Sequence, residues 1–349
     1  MKSATPQGDW IRRLPKAELH LHLEGTIEPS TLVELSQRHD RTLGKLPLTL
    51  DEAKFIYRYK DFSGFMLAFK AVTERLRTPE DYELITYRML ERLGRQGVVH
   101  AEVYVSVGVI YYWRRVECEA DPLFVERIFA GMERGRQRGE RDFGVTLFWI
   151  FDAVRHFGPE EAARVFHKAE ELRRTASSVV GIGIGGDERR TGSEPFRDLY
   201  AEARDAGLHL TAHAGETVGP EGIWSALNIG AERLGHVLSA VEDQELLDVL
   251  AERQVPLEIC ISSNLRTGCC SSAERHPVRK YFDAGLMVTL NSDDPAMFES
   301  DLEREYHLAQ REFEFTDEHL RELAANSIEA SFLEPERKVA ILHQIEAMS

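Results

Sequence analysis

Basic residues are in short supply: 43 Lys and Arg stand against 59 Asp and Glu, for a formal net charge of -16. That balance lacks the clustered cationic surface a phosphate backbone requires, so nucleic acid is not an expected partner. Cysteine is scarcer still. The four present, Cys118, Cys260, Cys269 and Cys270, form no paired CxxC pattern, which argues against a disulfide framework and against a thiolate zinc knuckle. Any bound metal must use other side chains. No stretch approaches the roughly 18 uncharged residues of a membrane span, and the segment Met1–Pro6 carries no apolar h-region. The expectation is a soluble cytoplasmic protein with no membrane partner. Internal repeats and low-complexity tracts are also missing.

What is present is enough apolar material for a large core, 43% hydrophobic over 349 residues. Short β-branched or apolar runs alternate with amphipathic, charged stretches, the pattern of βαβ units and a parallel sheet. Eight runs predict strands: Glu18–Leu23, His100–Ser106, Gly144–Phe151, Val179–Gly185, His209–His213, Arg233–Val237, Leu257–Ser262 and Met287–Asn291. Eight such units close a barrel, so the predicted fold is a (β/α)8 TIM barrel forming one domain over residues 1–349. Glu194–Ala206 and Asp243–Arg253 have the three- and four-residue apolar spacing of outer helices. About 75 residues separate the first two strands, far more than an ordinary loop, and predict a helical insertion over 29–95 with the aromatic-rich Phe55–Phe69 as its lid. Asp317–Ala325 and Glu334–Ala347 read as closing helices.

Gly181, Gly183 and Gly186 match the GxGxxG spacing of a dinucleotide site. The polar stretch Asp187–Gly192 follows where a helix should start at once, so the barrel remains the preferred architecture.

Four places carry candidate chemistry. His20 and His22 flank Leu21 in an apolar run, so both imidazoles face the same side, as a shared cation or as hydrogen-bonded core histidines. His213-Ala214-Gly215-Glu216 ends the fifth run, with Gly215 permitting a turn that brings a carboxylate over the same side as a general acid. Asn291-Ser292-Asp293-Asp294-Pro295 follows the eighth; adjacent Asp residues at a strand mouth repel unless something positive holds one, although Asp294 could equally cap the next helix. His236 ends the sixth run. Four strand ends thus present His or Asp to the face where barrel sites lie. Three imidazoles and a carboxylate suit zinc, with room left for water.

These motifs in this order, from Pro15–Gly25 through Gly186-Asp187-Glu188, His213–Glu216, Gly235-His236, Ser262-Ser263-Asn264 and Asn291–Pro295, resemble the adenosine deaminase family of the amidohydrolase superfamily. The resemblance implies one Zn2+ per chain on His20, His22, His213 and Asp293. It also implies catalytic roles for three residues. Glu216 gives a proton to purine N1, His236 orients the attacking water, and Asp294 hydrogen-bonds N7. The Gly186 N–H meets N3, and His22 and Ser106 belong to the substrate-binding set. Glu216 must be protonated to act as an acid, so its pKa is expected to be raised by burial and by Asp294.

Departures bear on the substrate. Glu24 stands where the family usually has an Asp that contacts the ribose 5′-hydroxyl, and Gly183 where it often has Asp. Glu24 resembles instead relatives acting on free adenine or on 5′-modified nucleosides such as 6-aminodeoxyfutalosine, whereas Ser263–Gly268 and Met297–Leu302 look like the nucleoside branch. Arg266, or Arg58 in the insertion, is then a candidate partner for an acidic 5′ substituent, against the alternative of a solvated loop arginine. The implied function is hydrolytic deamination of a 6-aminopurine nucleoside, with menaquinone biosynthesis as one setting and a homodimer left open. The alternatives are adenine deamination, another amidohydrolase reaction, and a catalytically silent binding barrel.

Overall fold

The computed structural model describes residues 7–348, so the Met1–Pro6 segment read above for targeting signals lies outside the described residues. The strands are β1 (Lys16–His22), β2 (Val98–Val105), β3 (Thr146–Val154), β4 (Val179–Gly185), β5 (His209–Ala214), β6 (Arg233–His236), β7 (Leu257–Ile259) and β8 (Val288–Leu290). They lie side by side in chain order, and every neighbouring pair from β1–β2 to β7–β8 is parallel. Helices lie between the strands, as the expected (β/α)8 barrel requires. No helix among the described residues is long and apolar enough to cross a membrane.

The barrel closes differently from the way it is built elsewhere. Between β8 and β1 the ladder shrinks to one bridge, Leu21 with Asp293. Asp293 N–H donates to the His20 carbonyl at 3.0 Å, and His22 N–H donates to the Asp293 carbonyl at 2.9 Å. A side chain replaces the rest: Asn291 Oδ1 accepts from the N–H groups of Leu19 and His20 at 2.8 and 3.1 Å. Glu18 reciprocates by accepting from Ser292 N–H at 2.7 Å and from its Oγ at 2.8 Å.

The strands read as nearly continuous apolar runs because helices cover them outside and side chains fill them inside. The centre is polar, however. Arg233 on β6 lies between Glu102 on β2, at 2.6 Å, and Glu258 on β7, which its Nε also contacts closely. Tyr104 donates its hydroxyl to Glu258 at 3.0 Å. All four side chains are buried, and a buried charge of this kind persists only when paired and hydrogen-bonded.

Residues 23–97 hold the helices Pro29–His39, Leu50–Ile56, Phe62–Thr73 and Pro79–Arg95. Local signals set their starts: Thr49 and Thr78 form capping boxes and Asp61 accepts from Gly64 N–H. The last of these helices packs tightly on Phe124–Phe143, where a Cβ added at Gly131 would stand 2.1 Å from the Pro79 carbonyl oxygen. The closing helices are Asp317–Glu329 and Pro335–Glu346, and Gln244–Arg253 starts from an Asp243 cap. The stretch expected as one helix over Glu194–Ala206 begins as a 3-10 turn and is α-helical over Arg197–Asp205.

Two boundaries differ from expectation with consequences for function. β3 runs on to Val154 rather than ending at Phe151, which places Asp152 on a strand. β7 stops at Ile259, and Ile261–Arg266 is a short helix where Ser262 was expected to end a strand. The apolar run carries no break signal of its own. The turn is held by a distant partner, Glu305 on the helix Leu302–Phe313, which accepts from Ser262 N–H at 3.1 Å. The dinucleotide alternative fails, because β4 continues through Gly185 and the next α-helix begins only at Arg197. Gly181 instead allows close strand packing, a Cβ there meeting the His209 carbonyl oxygen at 2.9 Å.

Replacing Asn291 by Leu orphans two buried N–H groups at the seam, at about 1–3 kcal/mol each. Urea unfolding is expected to show that loss; an unchanged midpoint would mean the seam does not need the amide.

Candidate active site

The seam also builds the site. β1 carries His20 and His22, β5 carries His213, and the bridge that closes the barrel fixes Asp293 between the backbones of the two β1 histidines. Asp293 adopts φ 63°, in the left-handed region, a strain that persists only where surrounding contacts over-determine it. Its Oδ1 lies 3.5 Å from His22 Nε2 and 3.7 Å from His20 Nε2. His22 Nε2 is 3.1 Å from His213 Nε2. One atom from each of the four residues fits within 4.8 Å of the others.

That arrangement fits a cation. Tetrahedral zinc ligands about 2.0–2.2 Å from the metal stand roughly 3.3–3.6 Å apart. His213 Nδ1 is 3.1 Å from the Ile184 carbonyl and His20 Nδ1 is 2.6 Å from Glu258 Oε2. Each of these Nδ1 atoms therefore carries the proton, and each Nε2 turns a lone pair inward. His20 Nε2 is buried with no protein partner. Burial drives the His213 pKa well below its usual value, helped by the neighbouring imidazoles, and holds His22 near 4, so both are neutral and able to bind a metal. Burial opposes ionisation of Asp293, but its neighbours, His20 first among them, outweigh it and hold its pKa below the usual carboxylate value. Ser263 donates to its Oδ2 at 2.6 Å. Cys260 could join His236 and Asp293 in a second grouping, but burial keeps its thiol protonated.

Above this cluster a cavity is lined by His22, His213, Glu216, His236, Asp293 and Asp294, with Ser106 and Gly186 further round. Glu216 has a raised pKa, first through burial and then through Asp293 and Glu188, against His236 and His20. The neighbours raising it are thus Asp293 and Glu188 rather than the expected Asp294. Asp294 is raised further, by burial and then by Asp293, and its Oδ1 is buried without a partner. The adjacent pair is thus driven in opposite directions, Asp293 toward the ionised form and Asp294 toward the neutral one. His236 and Val237 both have positive φ, 66° and 55°, and His236 Nε2 is directed to within 3.9 Å of Glu216 Oε2.

Two glycines make the packing possible. A Cβ at Gly25 would lie 2.0 Å from Asp294 Oδ1, and one at Gly235 would lie 2.5 Å from His20 Cε1. Each motif glycine is therefore a vacancy filled by a functional side chain.

Sequence reading missed three groups. Glu188 accepts the N–H groups of Gly215, Glu216 and Thr217 at 2.9, 2.8 and 3.0 Å, holding the turn that presents Glu216. Glu258 orients His20; its only signal was an acid inside an apolar strand. Asp152 lines the cavity, is pushed well up by burial, and has a buried Oδ1 without a partner. A Cβ at Gly183 would stand 3.1 Å from that Oδ1, so the carboxyl absent from β4 is supplied by β3.

Some expected contacts are elsewhere. Glu24 does not line the cavity; its Oε1 accepts from Ser106 N–H at 3.0 Å, because the turn after β1 folds its side chain against β2. Arg266 is also outside the lining, with its guanidinium over the Tyr59 ring at 5.6 Å, and Arg58 is exposed. From the insertion, Phe62, Phe65, Met66 and Phe69 reach the cavity, joined by Phe298. Phe55, the expected start of that aromatic segment, is 69% exposed, since it sits on the preceding helix.

Replacing Glu258 by Gln removes the carboxylate that fixes the His20 tautomer, and metal retention against a chelator is expected to weaken by about 10–100-fold. Equal retention would show that His20 needs no such partner.

The adenosine deaminase family model matches residues 15–348. Aminodeoxyfutalosine deaminase from Streptomyces avermitilis is 37% identical over 339 residues, covering 97% of this chain and 92% of that protein. Adenine deaminase from Aspergillus oryzae is 34% identical over 342 residues, covering 97% and 95%. Among solved structures, adenine deaminase from Arthrobacter aurescens superposes with a TM-score of 0.86 at 31% identity, covering 95% of this chain and 98% of that one. A zinc-bound amidohydrolase from Burkholderia ambifaria gives 0.87 at 27%, covering 100% and 95%. With the motif histidines and carboxyls gathered in and directly beneath one cavity and the match running nearly end to end, the chain belongs to the adenosine deaminase family of the amidohydrolase superfamily and is a hydrolytic deaminase.

Proposed function

We propose that the enzyme hydrolyses the exocyclic amine of a 6-aminopurine nucleoside, giving ammonia and the 6-oxopurine, with one zinc ion per chain on His20, His22, His213 and Asp293. The observation that carries this reading is the presence, beside that cluster and in one cavity, of two buried carboxyls, Glu216 and Asp294, whose pKa burial raises toward the protonated form. Of the ring-nitrogen lone pairs of a purine nucleoside, those at N1 and N7 lie on either side of the exocyclic amine and match such donors.

Zinc held there supplies a water activated for attack near neutral pH. Glu216 donates to N1, which localises electron deficiency at C6. Asp294 donates its carboxyl proton to N7, Gly186 offers its N–H to N3, and His236 orients the attacking water.

The far wall favours a nucleoside over the free base. Phe62, Phe65, Met66, Phe69 and Phe298 give the cavity an apolar end beyond the polar groups, and four of them sit on the helix Phe62–Thr73, which serves as the lid. An apolar or aromatic 5′ substituent fits such a wall, as in aminodeoxyfutalosine, for which the Streptomyces relatives are named. Glu24, held near 7 by burial, supports Ser106 from behind.

Ammonia release from 6-aminodeoxyfutalosine, 5′-methylthioadenosine, adenosine and adenine is expected to rank the 5′-modified nucleosides first. Adenine in first place would overturn the substrate reading. Because Glu216 works only with its proton on, activity is expected to persist at low carboxylate occupancy and fall as pH rises through its raised pKa. Glu216→Gln should cost about 10²–10⁴-fold in kcat. Gly25→Ala drives a Cβ into Asp294 and should lower kcat/KM by roughly 10²-fold at unchanged metal content; a fully active variant would remove Asp294 from the mechanism.

A further inference from the structure

We propose that His276 is a positioning residue which, through Asn264, holds the proton of His236 on Nε2, so that this imidazole meets the attacking water as a donor and not as its base. The proposal rests on the placement of His236 beside that water.

The argument begins at a group that cannot change its polarity. The backbone N–H of Val278 donates to His276 Nδ1 at 3.3 Å. A backbone N–H has no acceptor form, so Nδ1 holds a lone pair and the ring proton sits on Nε2. His276 Nε2 lies 3.1 Å from Asn264 Oδ1, which places a donor against the amide oxygen. The amide nitrogen, Nδ2, then faces His236 Nδ1 at 3.0 Å and donates to it. His236 Nδ1 is thereby an acceptor, and its proton is left on Nε2, 3.9 Å from Glu216 Oε2 and 4.0 Å from Asp293 Oδ2.

Reversing any link sets N–H against N–H at Val278. His276, Asn264 and His236 are 5%, 0% and 1% exposed, so bulk water does not repair a mismatch, and an unsatisfied polar pair there is costly. Burial holds His276 near a pKa of 3, which keeps it neutral, as a ring accepting a backbone N–H must be.

The proton traffic follows. Glu216 gives its proton to N1, and as a carboxylate takes one from the attacking water while the C6–O bond forms. It returns that proton to the amine, the C6–N bond breaks and ammonia leaves. The proton of the new C6 hydroxyl then restores Glu216. His236 donates throughout and exchanges nothing.

The test reads ring-nitrogen shifts in metal-loaded protein labelled with 15N-histidine, the His236 signals being assigned by their loss in His236→Gln. Wild type is expected to show His236 protonated on Nε2 alone. His276→Gln, whose amide still donates to Asn264, is expected to keep that tautomer and kcat within about twofold. His276→Leu is expected to give mixed tautomers and a kcat about 10–100-fold lower, with KM little changed. His236 protonated on Nδ1 in the wild type overturns the proposal whether or not the His276 variants fold. Loss of kcat in His276→Leu with the tautomer intact also overturns it, by assigning His276 a merely structural role. The spectra are read without substrate, so inactivity toward every aminopurine would refute the proposed function and leave this result standing.

Discussion

The structure depends on how the barrel closes. A regular β8–β1 ladder would leave both strands straight and their side chains alternating. Instead the seam is a single backbone bridge made by Asp293 in a left-handed conformation, donating to His20 and accepting from His22. The residue that completes the sheet is therefore clamped between two of the other prospective metal ligands. Closing the fold and assembling the cluster are one event, and the backbone strain at Asp293 is held by the contacts that need it.

Beneath the cluster the barrel holds charge where branched aliphatic side chains usually pack. Glu102, Arg233, Glu258 and His20 form a continuous buried chain from the barrel interior to the His/Asp cluster. Burying an ion pair is not in itself stabilising. Here it has a functional consequence, because Glu258 can hold the His20 proton on Nδ1 only while Arg233 keeps that carboxylate charged. The same logic runs in the opposite direction at the mouth. At Asp294, Glu216 and Asp152 burial dominates, outweighing Arg155 at Asp152 and His236 and His20 at Glu216, and their carboxyls are held toward the neutral form. The two ends of the site thus shift their carboxyls in opposite directions, toward the charged form at Glu258 and Asp293 and toward the neutral form at Asp294, Glu216 and Asp152.

Packing at glycine links these layers. Gly25 and Gly235 belong to motifs named for their neighbours, yet each marks a space taken by Asp294 or His20. The insertion after β1 contributes the apolar wall through one helix, anchored by the Asp61 cap and the tight contact of its neighbour with Phe124–Phe143.

Periodicity and punctuation in the chain were enough to determine eight strands in order, the long insertion and the closing helices, since each is a local property: alternation, spacing, a capping Thr or Asp. The strand-end candidates His20, His22, His213, Glu216, His236, Asp293 and Asp294 stood out through their recurrence at several strand ends and through the resemblance, and the fold brings them together at one end of the barrel. Tertiary structure alone decided the remainder. Whether β7 ends at Ile259 depends on Glu305, far along the chain. Whether Glu24 faces the cavity depends on Ser106, and which aromatic residues reach it depends on where one helix breaks and the next begins. Glu188, Glu258 and Asp152 act through hydrogen bonds or shared space with residues remote in sequence, and the Asn264 amide that faces His236 is itself oriented by His276, an imidazole outside every motif. Such roles have no spacing to betray them, because hydrogen-bond polarity is a property of the folded network and of no single segment.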